Sequence, residues 1–229
     1  MTRDSNLKLA MRCAEAGLSV FPCKADPSKR PLVKWRTDST TDINTIKTWW
    51  KRWPRALVSI DLAKVELVVI DADRHEGAAD GVTALAKLMR EHGADLSSVP
   101  ITRTPSNGFH LYFRQPEGEP LGNRTGDLPA GVDVRGYSIT APENVRPDGK
   151  TYRRLAHHPE LIAAFKAGTI PIVPEWLIEI IRPPAPPTEP IASSLISVAT
   201  VSSATPRPRS TAWRTSLRRR GRSPDATAP

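Results

Sequence analysis

Apolar residues recur along the first half of the chain in a rhythm that switches repeatedly between helix and strand. Over residues 5–16, Leu9, Cys13 and Ala16 fall at helical spacing, and Gly17 supplies a stop before a strand at 18–23. After a loop at 24–36, Thr41 or Asp42 can cap a second helix carrying Ile43, Ile46, Trp49 and Trp50 on one side, ended by Pro54. Strands are expected at 56–60 and 66–71, and a helix at 82–92 presents Val82, Leu85, Leu88 and Met89 before Gly93. This alternation is the pattern of a layered α/β unit. The second half is richer in strands, at 100–104, 109–114, 132–135, 138–141 and 151–155, punctuated by Gly and Pro. Two further helices are expected near 159–166 and 174–181, the last docked by Trp176, Leu177 and Ile180.

Three strands carry chemistry on their polar positions. The run Leu67-Val68-Val69-Ile70-Asp71-Ala72-Asp73 ends in two acids spaced i, i+2, which a strand directs to one side. Two such carboxylates can hold a divalent cation, and Mg²⁺ is commonly held by one or two carboxylates together with substrate phosphates. A solvated strand-to-turn junction is the plain alternative. In Phe109-His110-Leu111-Tyr112-Phe113, the apolar residues share one face and His110 and Tyr112 the other, behind a turn at 104–108 whose amides can approach an anion. The alternative for His110 is a hydrogen-bonded sheet histidine. In Val132-Asp133-Val134-Arg135, Asp133 and Arg135 share the polar face, either as a functional pair or as a surface ion pair on a half-exposed sheet.

Composition narrows the classes. With 229 residues and 39% hydrophobic content, the chain can bury a real core in one large or two small domains. No stretch approaches the roughly 20 apolar residues that cross a bilayer, and the first residues lack the apolar core of a secretory signal, so a cytoplasmic protein with no membrane partner is expected. Cys13 and Cys23 are too few for a zinc site and wrongly spaced for a redox pair. The net charge of +9 is uneven. Residues 183–229 hold seven Arg against two acids, or +5, leaving 26 basic and 22 acidic residues, or +4, in the first 182. That tail, with nine prolines and many Ser, Thr and Ala, is expected to be disordered. Its cluster Arg214, Arg218, Arg219, Arg220 and Arg222 suits nucleic-acid phosphates, or simply a solvated basic tail.

Taken in order, apolar-Asp-x-Asp at Asp71 and Asp73, small-x-His at His110 and apolar-Asp at Asp133 resemble the three motifs of the archaeo-eukaryotic primase superfamily, and more closely its bifunctional primase-polymerase domain. The stretches Ala16-Gly17-Leu18-Ser19-Val20-Phe21-Pro22-Cys23, Lys29-Arg30-Pro31-Leu32-Val33-Lys34-Trp35, Trp49-Trp50 and Thr102-Arg103-Thr104-Pro105-Ser106 are similar to that family in the same order, over roughly residues 5–182.

The resemblance implies an α+β fold, an N-terminal α/β module packed against an RRM-like antiparallel sheet with the site in the cleft between them, followed by the tail. It implies template-directed nucleotidyl transfer from NTPs or dNTPs on single-stranded DNA, in plasmid, phage or mobile-element replication. Asp71, Asp73 and Asp133 are then the ligands of Mg²⁺ or Mn²⁺, and His110 contacts the triphosphate of the incoming nucleotide. Two cations about 4 Å apart suit this chemistry, activating the attacking 3′ oxygen and neutralising the leaving pyrophosphate. Arg103, Ser106 and Arg135 are candidates for phosphate oxygens, with Asn107 and the Gly108 amide as lesser ones. Lys29, Arg30, Lys34, Lys51 and Arg52 are candidates to track the template, against the default of solvated cations.

Two positions depart from the family pattern. The segment after Arg135 is shorter than usual and lacks a second proline after Pro142, and Val58-Ser59-Ile60 stands where a glycine is common. No phosphate-loop motif occurs, so a replicative helicase would be a separate partner. Two rivals stay open. A metal-dependent phosphohydrolase also uses apolar-Asp-x-Asp, though with Thr or Val where this chain has His75. A DNA-binding remnant would keep the acids without turnover.

Overall fold

The computed structural model describes residues 2–74, 77–118, 120–124 and 126–182. The expected disordered tail, with its arginine cluster, and His75 lie outside the described residues.

Helix α1 (Thr2–Glu15) buries Leu9, Ala10, Cys13 and Ala14, and Gly17 closes it at φ +93°, where the Leu18 amide donates back to the Cys13 carbonyl at 2.9 Å. Strand β1 (Val20–Cys23) follows. The segment expected as loop contains one helical turn, α2 (Trp35–Asp38), held by the Asp38 carboxylate accepting from the Lys34 amide at 3.1 Å. Such a local side-chain hydrogen bond leaves no periodic apolar signature to read. Asp42 caps α3 (Ile43–Arg52) by accepting from the Thr45 amide at 2.7 Å, and Ile46 and Trp50 are its buried side chains. Then come β2 (Leu57–Asp61), β3 (Leu67–Ala72) and α4 (Gly81–Glu91), the last capped by Asp80. The second half supplies β4 (Ile101–Arg103), β5 (Phe109–Arg114), β6 (Val132–Arg135), β7 (Ser138–Thr140), β8 (Arg153–Arg154), α5 (Leu161–Ala167) and α6 (Glu175–Ile181).

The strands form two sheets, ordered β1-β2-β7 and β6-β3-β5-β4-β8, and each strand pairing is antiparallel. The helix-strand alternation of the first half therefore does not build a parallel sheet. Consecutive strands β2 and β3 belong to different sheets, and β7 returns from the second half to complete the first. The α+β class stands, with chain halves interleaved rather than stacked in sequence.

Strand β3 is an interior strand, between β6 and β5, and is buried on both faces. Val68, Ile70 and Ala72 join Leu111 and Phe113 of β5 against Leu85 and Met89 of α4 and Leu177 and Ile181 of α6. Ile181, rather than Ile180, completes the docking of α6 because it lies one turn beyond Leu177 on the same side. On the opposite face, Leu67, Val69 and Tyr112 enter a second core with α1, α3, Val58 and Ile60. This is why β3 reads as an unbroken apolar run. The polar residues that continue this second face, Asp71 and His110, consequently sit beside a core and not on a solvated sheet surface.

Asn144, fully buried, ties the halves together. Its amide donates to the carbonyls of Val58 and Ala141 at 2.9 and 2.8 Å, and its carbonyl accepts from the Val58 amide at 2.8 Å. No helix among the described residues is long and apolar enough to cross a membrane. Both cysteines are unbonded and buried.

Candidate active site

Antiparallel register brings the three motif strands together. Asp71 lies opposite His110 of β5 on one side and opposite Asp133 of β6 on the other, so all three side chains share a face. Two glycines permit the close strand ends. A Cβ on Gly108 would meet the Ala72 carbonyl oxygen at 2.5 Å, and one on Gly131 would meet the Gly81 amide at 2.9 Å. Gly131 also stands at φ +84°, and its carbonyl accepts from the Asp73 amide at 2.8 Å, carrying the β3–β6 pairing past the end of the strand.

Arg135 links the acids. Its Nε donates to Asp71 Oδ2 at 3.1 Å and its second terminal nitrogen to Asp133 Oδ2 at 2.9 Å, so one guanidinium lies across two carboxylates from neighbouring strands. His110 Nε2 approaches Asp71 Oδ1 at 3.4 Å without hydrogen-bond alignment, and that buried oxygen has no hydrogen-bond partner among the described residues. Burial pushes the Asp71 carboxyl above the usual carboxylate range, against the pull of Arg135 and Lys29. Burial also drives His110 down to about 3, aided by Lys29 and Arg135 and opposed by Asp73. The imidazole is neutral near pH 7, so it faces Asp71 as a dipole and not as a cation.

These groups open onto a cavity of about 490 Å³. Of the residues singled out in the sequence, Asp71, Asp73, His110, Ser106 and Arg135 line it. So do Lys29, Arg146 and Tyr152. Lys29, a template candidate from the sequence, lies at this cavity: it stands at φ +46° and places Nζ 5.6 Å from the centre of the Tyr152 ring, itself 5.9 Å from the His110 ring. Arg146, paired with Asp148 at 3.2 Å, comes from the connection after β7, which has no periodic pattern to single it out, and Tyr152 from the segment expected as a strand at 151–155, of which Arg153–Arg154 forms β8. Ser59 donates to the Cys23 thiol at 3.2 Å, and both residues line the cavity.

Two expected residues are placed differently. Asp133 reaches the site through Arg135 and does not line the cavity. Arg103 lies opposite Phe109, on the face away from His110, and lines a neighbouring cleft together with Asn107. Of the remaining template candidates, Arg30, Lys34, Lys51 and Arg52 are exposed. The shortened segment after Arg135 is ordered by Asn123, whose side-chain carbonyl accepts from the amides of Gly136 and Tyr137 at 2.9 and 3.2 Å.

The donor set suits a cation held partly by its substrate. Among the described residues no group of three or more His, Cys, Asp or Glu is placed to hold a metal ion by itself. A buried carboxylate oxygen without a partner is costly unless a cation or donor meets it, and Asp71 Oδ1 is such an atom, on the wall of a cavity that Asp73 also lines. Mg²⁺ that keeps water and substrate phosphate in its shell needs only one or two protein carboxylates.

The family model for the bifunctional DNA primase/polymerase N-terminal domain matches residues 10–176. The chain belongs to this family. No curated protein matches it. As a primase/polymerase-family domain, its three motif strands are β3, β5 and β6, and the matched span covers both sheets and reaches into α6.

Proposed function

We propose that this primase/polymerase-family domain joins NTPs or dNTPs on a single-stranded DNA template, in plasmid, phage or mobile-element replication, using Mg²⁺ or Mn²⁺. One observation carries the reading: Asp71, with an unpartnered buried oxygen, stands in register with both His110 and Asp133 at the wall of a cavity rich in cationic and hydroxyl side chains. Asp71 and Asp73 would hold the metal at the cavity wall, with Asp133, held beside them by Arg135, as the third carboxylate that the family resemblance implies; when bound, the metal polarises the phosphoryl oxygens and the attacking hydroxyl.

The chain's own residues orient the nucleotide. A neutral His110 donates one ring N–H to a phosphate oxygen without competing for the carboxylates as a cation would. Lys29, Arg146 and Ser106 add donors for the triphosphate, and Arg135 offers its planar fork to either carboxylate or phosphate. The apolar core behind β3 fixes these groups before substrate arrives, which is where most of the advantage in phosphoryl transfer lies.

The test is incorporation of labelled NTPs or dNTPs on a single-stranded template, with and without primer, in Mg²⁺ or Mn²⁺, comparing the wild type with Asp71→Ala/Asp73→Ala. Incorporation by the wild type alone is expected. Equal background incorporation by both proteins under all conditions would overturn the reading, and release of phosphate from simple phosphomonoesters would favour a phosphohydrolase.

A further inference from the structure

Next to the nucleotide cavity is a second opening of about 290 Å³, lined by Arg103, Lys150, Arg153, Thr151 and Asn107, and sharing Thr104 and Pro105 with the cavity as a common wall. The turn at 104–107 thus presents Ser106 to one side and Asn107 to the other.

The charge arrangement here is unfavourable to the fold by itself. Arg103 of β4 lies directly opposite Arg153 of β8 in the antiparallel register. Like charges at such positions destabilise a sheet. No carboxylate among the described residues pairs with Arg103, Lys150 or Arg153, although Arg146 in the same turn is paired with Asp148. Arg153 is also oriented, its Nε donating to Thr151 Oγ1 at 3.0 Å. Among the described residues no acid lines the opening. Three cations with an amide and a hydroxyl make a site for phosphate oxygens, which arginine meets with two parallel donors.

We propose that this cleft holds the backbone phosphates of the single-stranded DNA beside the incoming nucleotide. The inference rests on the reading of the neighbouring cavity as a nucleotide site. The shared wall of Thr104 and Pro105 sets a strand in the cleft next to a triphosphate in the cavity, the adjacency that templated joining requires. The cleft is open, and its three cations come from β4, from the exposed edge strand β8 and from the residues just before it, which fits a polymer lying across it.

The test uses the full chain and fluorescence anisotropy of a labelled oligodeoxythymidine over a series of salt concentrations, in EDTA, so that it is independent of catalysis. Each phosphate contact on a single strand contributes about 0.7 to the slope of log affinity against log salt, so Arg103→Gln/Arg153→Gln should make the slope shallower by about 1.4. Lys87→Gln/Arg90→Gln, which removes two exposed charges from α4, should leave it unchanged. Binding of a fluorescent dNTP with Mg²⁺ should be the same in both variants as in the wild type. Removing the opposed arginines should not lower the melting temperature. If it does, Lys150→Gln, outside the strands, should still reduce the slope by about 0.7.

An unchanged slope in the cleft variants would overturn the proposal. Lost dNTP binding with an unchanged DNA slope would also overturn it, making the cleft a triphosphate site. Failure of nucleotide incorporation with the slope effect intact would instead count against the proposed function alone.

Discussion

Arg135 Nε lies 3.1 Å from Asp71 Oδ2, occupying one side of a carboxylate whose other oxygen has no hydrogen-bond partner. Because Asp133 is directly opposite Asp71 and held by the same guanidinium, Arg135 neutralises a repulsion that the register would otherwise impose.

Arg135→Ala should therefore destabilise the fold by about 1–3 kcal/mol, the range for leaving charged hydrogen-bonding partners unpaired. It should also make stability depend on metal. With the guanidinium gone, Mg²⁺ or Mn²⁺ bound between the acids stabilises the native state by mass action. Thermal melts should show a larger upward shift on adding metal for the variant than for the wild type. Equal shifts would argue that no cation enters between Asp71 and Asp133.

Gly131→Ala tests the closure of the strand ends. A side chain there is strained at φ +84° and meets the Gly81 amide at 2.9 Å, so a loss of about 1–2 kcal/mol from backbone strain alone is expected. For a domain of this size that lowers the melting temperature by roughly 2–8 °C. Gly93→Ala, at φ +59° with nothing near its Cβ, carries strain without the contact. Only Gly131→Ala should also reduce nucleotide incorporation, because only Gly131 accepts from the Asp73 amide.

The two thiols give a pH test. Burial pushes Cys13 up to about 12 and Cys23 up to about 11 from an ordinary value of 9.0. At pH 8 their thiolate populations are then smaller than those of an ordinary thiol by about a thousandfold and a hundredfold, and a disulfide reagent should react correspondingly slowly with native protein. The native state holds these protons where the unfolded chain releases them, so stability should fall as the pH rises above about 9. Nucleotide should slow labelling of Cys23, which lines the cavity, and not of Cys13. Rapid labelling of both thiols at pH 8 would contradict this burial.

Strand alternation made Asp71 and Asp73 legible as one face of β3, and His110 and Tyr112 as one face of β5, because a period of two fixes which side chains point together. It could not tell that β3 lies between β5 and β6, so the direct opposition of Asp71 to both His110 and Asp133 is a product of tertiary register. Arg103 shows the same limit. It precedes a turn that does line the cavity, yet its partner in register is Phe109, and pleating carries it to the other face. Lys29 was visible as part of a basic stretch, but the left-handed backbone that accompanies its position by Tyr152 belongs to an irregular loop. Helix α2 and the cavity residue Arg146 come from segments without hydrophobic periodicity, where local hydrogen bonds and long-range contacts decide the conformation, while Tyr152 lies in an expected strand whose pattern does not reveal which cavity it lines.

The central claim is that Asp71 is kept for chemistry at some expense to stability, and Asp71→Asn separates the two. Asparagine retains the shape and an oxygen for Arg135 while removing a carboxylate whose charge burial disfavours. Melting temperature and nucleotide incorporation on a primed single-stranded template should be measured for this variant beside the wild type. A melting temperature equal to or above that of the wild type, with incorporation reduced at least about a hundredfold, or about 2.7 kcal/mol of transition-state stabilisation, is the expected result. A variant that is equally stable and incorporates nucleotides at the wild-type rate would contradict the account.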